Sequence, residues 1–89
     1  MKFFPSIDGY YEFSFSGYAN SKNTIIEVKK NENKELSFHG DTNGNDHIGS
    51  TWKMKLVKGD KLKLYVKEGM IYSGEDYSTI FNGKFLWPF

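Results

Sequence analysis

The donor atoms best suited to chemistry lie together between His39 and His47, in the run H-G-D-T-N-G-N-D-H. Asp41, Asn43, Asn45 and Asp46 offer several hard oxygens within one tight turn, the ligand type that calcium takes. The EF-hand spacing fails, however. Counted from Asp41, Gly44 stands at the fourth position rather than the sixth, and Trp52 occupies the place of the bidentate Glu. His39, Asp41, Asp46 and His47 could together face a zinc ion, but no cysteine joins them and their spacing is irregular. The same residues tolerate positive φ and build an ordinary hairpin loop. The expectation is a loop and no cofactor, with calcium as the metal its donors would suit best.

Catalysis has little to stand on. Ser, His and Asp are all present, yet no nucleophile motif appears, and both histidines sit in or beside one turn-rich segment. Glu75 and Asp76 are adjacent, so in a strand they would point to opposite faces and make a poor acid/base pair. The chain reads as a non-enzyme. Two binding surfaces are candidates instead. Tyr72 and Tyr77 flank Ser73-Gly74-Glu75-Asp76, and aromatic faces beside carboxylates suit sugar stacking and hydroxyl capture. Tyr72, Glu75, Asp76 and Tyr77 are therefore the candidate ligand-binding residues, with Tyr18 and Trp87 as further outward rings. The competing reading has these rings cap the ends of a sandwich with their polar atoms in water. The second candidate is a stripe of Lys53, Lys55, Lys58, Lys61, Lys63 and Lys67. If strands at 51–57 and 61–67 form a hairpin, these lysines share one solvent face, and Lys53, Lys55, Lys61 and Lys63 would bind a polyanion. Against that, lysine is the usual outward residue of a half-exposed sheet, where it discourages edge pairing.

Eighty-nine residues are expected to form one domain over 1–89, near the lower end of what folds unaided. With no cysteine, neither a disulfide nor a thiolate metal site can contribute, and stability must come from an apolar core. Eight Phe, six Tyr and two Trp supply it, each burying a large area for few rotatable bonds. A formal net charge of +1 argues against a nucleic-acid footprint. No apolar run approaches the roughly 20 residues of a membrane helix. Met1-Lys2-Phe3-Phe4 starts like a secretory leader, but Pro5, Ser6 and Asp8 end the apolar run too early.

The elements that must position these residues are strands. Apolar residues recur at a period of two, and β-branched and aromatic types dominate the periodic stretches. After the Asp8-Gly9 turn signal, Tyr11, Phe13 and Phe15 alternate with Glu12, Ser14 and Ser16. Strands follow at 24–29, 35–39, 51–57 and 61–67, with a short one expected at Met70 to Tyr72. Asn31 to Lys34 and Lys58-Gly59-Asp60 supply turns. The last strand is expected to be central. Phe81, Gly83, Phe85 and Trp87 lie on one buried face, and Ile80, Asn82, Lys84 and Leu86 on the other. Gly83 has no side chain to pack, so another group should approach it closely. Trp52, Phe81 and Phe85 are expected to be largely buried. Six to seven strands at this spacing predict an all-β, antiparallel β-sandwich of jelly-roll type, abbreviated.

Three pieces of sequence, in order, resemble the globular head domain of complement C1q, within the tumour-necrosis-factor-like jelly rolls. They are G-x-Y-x-F at Gly9, Tyr11 and Phe13, running on to Val28-Lys29-Lys30-Asn31; L-x-x-G-D-x-L-x-L at Leu56, Gly59, Asp60, Leu62 and Leu64; and S-T-x-F-x-G-x-F-L at Ser78, Thr79, Phe81, Gly83, Phe85 and Leu86. The resemblance implies extracellular recognition of a protein or glycan ligand without catalysis. It also implies additional N-terminal strands, which would precede Met1, and a homotrimer. The faces that should meet in such a trimer, if formed by strands at 10–18, 61–67 and 80–87, carry Tyr10, Glu12 and Ser14; Lys61, Lys63 and Tyr65; and Ile80, Asn82 and Lys84. Their charge points to a monomer or weak oligomer instead. Two alternatives to the recognition head are a monomeric carbohydrate-binding module and a virus, phage or spore surface protein.

Overall fold

The computed structural model describes residues 1–19, 23–40, 46–71 and 79–89. Among these, seven strands and no helix occur: β1 (Lys2–Phe3), β2 (Gly9–Ala19), β3 (Ile25–Lys30), β4 (Asn33–His39), β5 (Asp46–Leu56), β6 (Leu62–Glu68) and β7 (Ile80–Trp87). They form two antiparallel sheets, ordered β1-β6-β3-β4 and β5-β2-β7. This is the expected all-β sandwich of jelly-roll type.

The alternation in β2 sets the core. Tyr11, Phe13, Phe15, Gly17 and Ala19 are buried while the residues alternating with them are half-exposed, so one face of the strand looks inward. Ile26, Val28, Leu62 and Leu64 face them from the other sheet. Phe13 is fully buried and meets the rings of Phe3, Tyr11, Trp52 and Phe81 with centroids 5.0–6.1 Å apart. Gly83 meets its expectation: a Cβ there would come within 2.7 Å of Phe13 and 2.9 Å of Phe3.

Several expectations are corrected. β7 lies at an edge, and β2 is the central strand of its sheet. The strands at 46–56 and 62–68 do not form a hairpin, because the Lys58-Gly59-Asp60 turn passes the chain from one sheet to the other. Asp60 makes that crossing tight: its carboxylate accepts the Val57 N–H at 2.8 Å and the Asn31 Nδ2–H at 2.8 Å. The third strand beside β2 and β7 is therefore β5. It starts at Asp46 rather than Thr51, because pairing with β2 continues to Ala19. The segment at Met70 to Tyr72 provides only a bridge between Ile71 and Ala19 among its described residues.

Trp87 also departs from its expected face. A bulge pairs Tyr10 with Trp87 and Tyr11 with Phe85, leaving Leu86 as the extra residue. The extra residue reverses the alternation, so Trp87 joins Tyr10 on the outer face and is 52% exposed. Phe85, on the edge strand, is 38% exposed, and Trp52 and Phe81 are half-buried at the margin of the core.

Candidate functional site

The outer faces of the two sheets carry the polar chemistry. On β3, Ile26 and Val28 point inward and place Glu27 on the outside, yet Glu27 is only 5% exposed. Tyr65, its register partner on β6, covers it and donates its hydroxyl to Glu27 Oε1. Lys67 Nζ lies 3.5 Å from Oε2. The tyrosine hydrogen bond holds the Glu27 carboxyl below its ordinary value, with Lys67 and Lys34 acting the same way against the opposing effect of burial. Lys29 and Lys63 place their ammonium groups 5.3 and 5.7 Å from the centroid of the same tyrosine ring.

The other sheet presents a different surface. Glu12 stands between Lys53 and Lys84 in register, and Ser14 between Thr51 and Asn82. At one end Tyr10 contacts Trp87 and Phe89, with ring centroids 5.7 Å apart in both pairs. Lys55 Nζ caps Phe89 at 4.2 Å. Trp87 and Phe89 are each about half exposed, so this end is an aromatic patch with a cation over it. At the other end the Ser16 hydroxyl and His47 Nε2 share a hydrogen bond of 2.8 Å. Between the sheets, Met1, Phe15, Ile26, Leu64, Val66 and Ile71 line an apolar cleft of about 250 Å³.

The structure separates the four lysines expected to act together. Lys53 and Lys55 lie on β5, while Lys63 lies on β6 with Lys61 just before it, in the opposite sheet. Their separation follows from the sheet crossing at Lys58-Gly59-Asp60, which a hairpin reading of that turn overlooks. Tyr72, Glu75, Asp76 and Tyr77 lie outside the described residues, as do Asp41, Asn43 and Asn45. His39 and His47 are exposed strand residues, and no cluster of three metal-ligating side chains occurs among the described residues. Glu27 and Tyr65 escaped the sequence reading. A carboxylate between Ile26 and Val28 was visible, but its cover comes from a strand nearly 40 positions away.

Among the described residues, no helix is long and apolar enough to cross a membrane. No curated protein matches the chain. The C1q domain family model matches residues 2–86, nearly the full length, and the two antiparallel sheets are those expected of such a domain. The three short motifs, the sandwich and the family match agree on one assignment: this chain belongs to the C1q domain family.

Proposed function

We propose that the protein is a non-catalytic recognition module, working outside the cell or on a particle surface, that binds a protein or glycan ligand through a sheet face. The observation that carries this reading is the C1q domain match over residues 2–86. The distribution of polar groups supports it. Glu27, the one buried carboxylate on the outer faces among the described residues, is engaged by Tyr65 and Lys67, an arrangement that fixes a surface rather than prepares a proton donor. The face of β5, β2 and β7 carries Glu12, Lys53, Lys55 and Lys84. Burying these around a threefold axis would desolvate several charges for modest apolar gain, which favours a monomer or weak oligomer over the family's homotrimer. No cofactor is assigned, and calcium at Asp41 and Asp46 is the metal to test.

The test is an array of glycans and extracellular proteins probed with the purified chain. Saturable binding to at least one class, with no turnover, is the expected result, and turnover of an arrayed glycan would refute the reading. A second reading, a monomeric carbohydrate-binding module, is favoured by the exposed rings of Tyr10, Trp87 and Phe89 beside Lys55. Under that reading, Trp87→Ala removes neutral-sugar binding while leaving the fold intact.

A further inference from the structure

We propose that the outer face of the β1-β6-β3-β4 sheet is a binding site for a sulfated polysaccharide, laid along a row of four lysines. The inference rests on the recognition reading above and names its ligand. Strand register pairs Lys2 with Lys63, Lys63 with Lys29, and Lys29 with Lys34, one lysine from every strand of the sheet. Inward neighbours fix the side on which they lie. Phe3, Leu62 and Val28 all belong to the core, so Lys2, Lys63 and Lys29 point outward. Lys34 stands directly opposite Lys29 in the register and shares its side. At the ordinary strand spacing, the row spans roughly 14 Å.

Like charges directly opposite one another across strands are destabilising, and this sheet stacks three such pairs in succession. Glu27 is one row away and already held by Tyr65 and Lys67, and exposed Glu35, the extra residue of β4 where the register shifts beside Lys34, forms no ion pair with the row among the described residues. The only ion pair among the described residues is that of Lys67 with Glu27, so no carboxylate forms a close pair with the row. A linear anion along the row would relieve the repulsion. At one end the row opens into a cavity of about 260 Å³ lined by Lys2, Lys61 and Lys63, with Phe4 and Leu62 beneath and Glu32 as its one carboxylate. That concavity adds a third ammonium group where a sulfate can sit.

The shape of the face selects among polyanions. All twelve basic residues of the chain are lysines, which act as point charges without the planar fork that matches phosphate and base edges. The face is a sheet surface and, among the described residues, has no helix to enter a groove and no set of free rings on which bases could stack. Its tyrosine, Tyr65, is committed to Glu27 and flanked by Lys29 and Lys63. A flat, flexible chain of closely spaced sulfates fits this arrangement better than a stiff duplex.

Heparin is the probe, with binding to the whole chain followed over a series of salt concentrations. Lys29→Gln combined with Lys63→Gln is expected to weaken heparin binding about tenfold or more, and to lower the slope of log K against log salt by about 2. Lys53→Gln with Lys55→Gln, on the opposite sheet, is expected to change affinity by no more than about twofold. The melting midpoint of the Lys29/Lys63 variant should hold or rise, since it removes a like-charge contact. Absence of saturable heparin binding at low salt would overturn the proposal. So would an equal loss from the β5 variant, or binding of duplex DNA or anionic vesicles as tight as that of heparin. If heparin fails while another arrayed ligand binds, this site is refuted and the recognition reading stands.

Discussion

Phe13 is where the packing of both sheets converges. Its ring is fully buried between Phe3 on one sheet and Trp52 and Phe81 on the strands either side of β2. Phe13→Ala leaves a cavity that these neighbours cannot fill without moving, and should cost about 3–5 kcal/mol. Phe85→Ala, on the exposed edge, should cost only about 1–2 kcal/mol. Urea midpoints for the two variants check the contrast, and equal losses would mean that the edge strand is covered. Asp60 is the residue whose charge the fold uses most plainly. Its carboxyl sits below its ordinary value because the Val57 N–H and then the Asn31 amide bind the ionised form, outweighing burial. A depressed carboxyl contributes stability that is present above its ordinary value of 3.8 and is lost as the pH falls through the folded value. Asp60→Asn should therefore lower the melting midpoint at neutral pH. It should also lose less than the wild type on acidification from about pH 6 to pH 3. Parallel curves for the two proteins would place the acid sensitivity elsewhere. Of these residues, Gly83 was legible in the sequence, because a glycine in an alternating aromatic run needs a close neighbour. Trp87 was not, since one bulged residue turns it over and nothing local announces a bulge.

At the scale of elements, turns were easier to locate than to interpret. The β3–β4 hairpin closes through Asn31 and Glu32, both with positive φ, at 52° and 70°. That is the geometry of the tight hairpin turn matched to strand twist, in which Asn is at home and Glu is not. Glu32→Gly should raise stability by about 1 kcal/mol, measured as a shift in the thermal or urea midpoint. No shift would mean that a contact of the glutamate offsets its backbone strain. Asn31 earns its conformation by reaching across to the sheet crossing: its Oδ1 accepts the Lys61 N–H at 2.9 Å and its Nδ2 donates to Asp60. The hairpin and the crossing are thus one assembly. This explains why Lys58-Gly59-Asp60 reads as a hairpin turn and behaves as a link between sheets. Gly59 and Asp60 satisfy both uses locally, and only the partner at Asn31, some 30 positions away, decides between them.

At the scale of the whole molecule, the two outer faces divide the chemistry. One carries the lysine row with the Glu27–Tyr65–Lys67 cluster, the other the alternating charges around Glu12 and the aromatic patch at Tyr10. The all-β class and the C1q resemblance were legible because period-two aromatics and three ordered motifs are local signals. The faces were not, because they depend on which strands share a sheet. Light scattering behind a sizing column should give the mass of one chain, or of a weak and concentration-dependent assembly. A stable trimer at micromolar concentration would contradict the monomer reading. Chelator and millimolar calcium should give the same melting midpoint, whereas an upward shift with calcium would make Asp41 and Asp46 ligands. The central claim is recognition without chemistry. Its most direct test is calorimetric titration of the chain with the best ligand from the array, followed by mass analysis of the ligand recovered after prolonged incubation. Saturable binding with the ligand returned unchanged is the predicted result; a ligand returned shortened or chemically altered would contradict it.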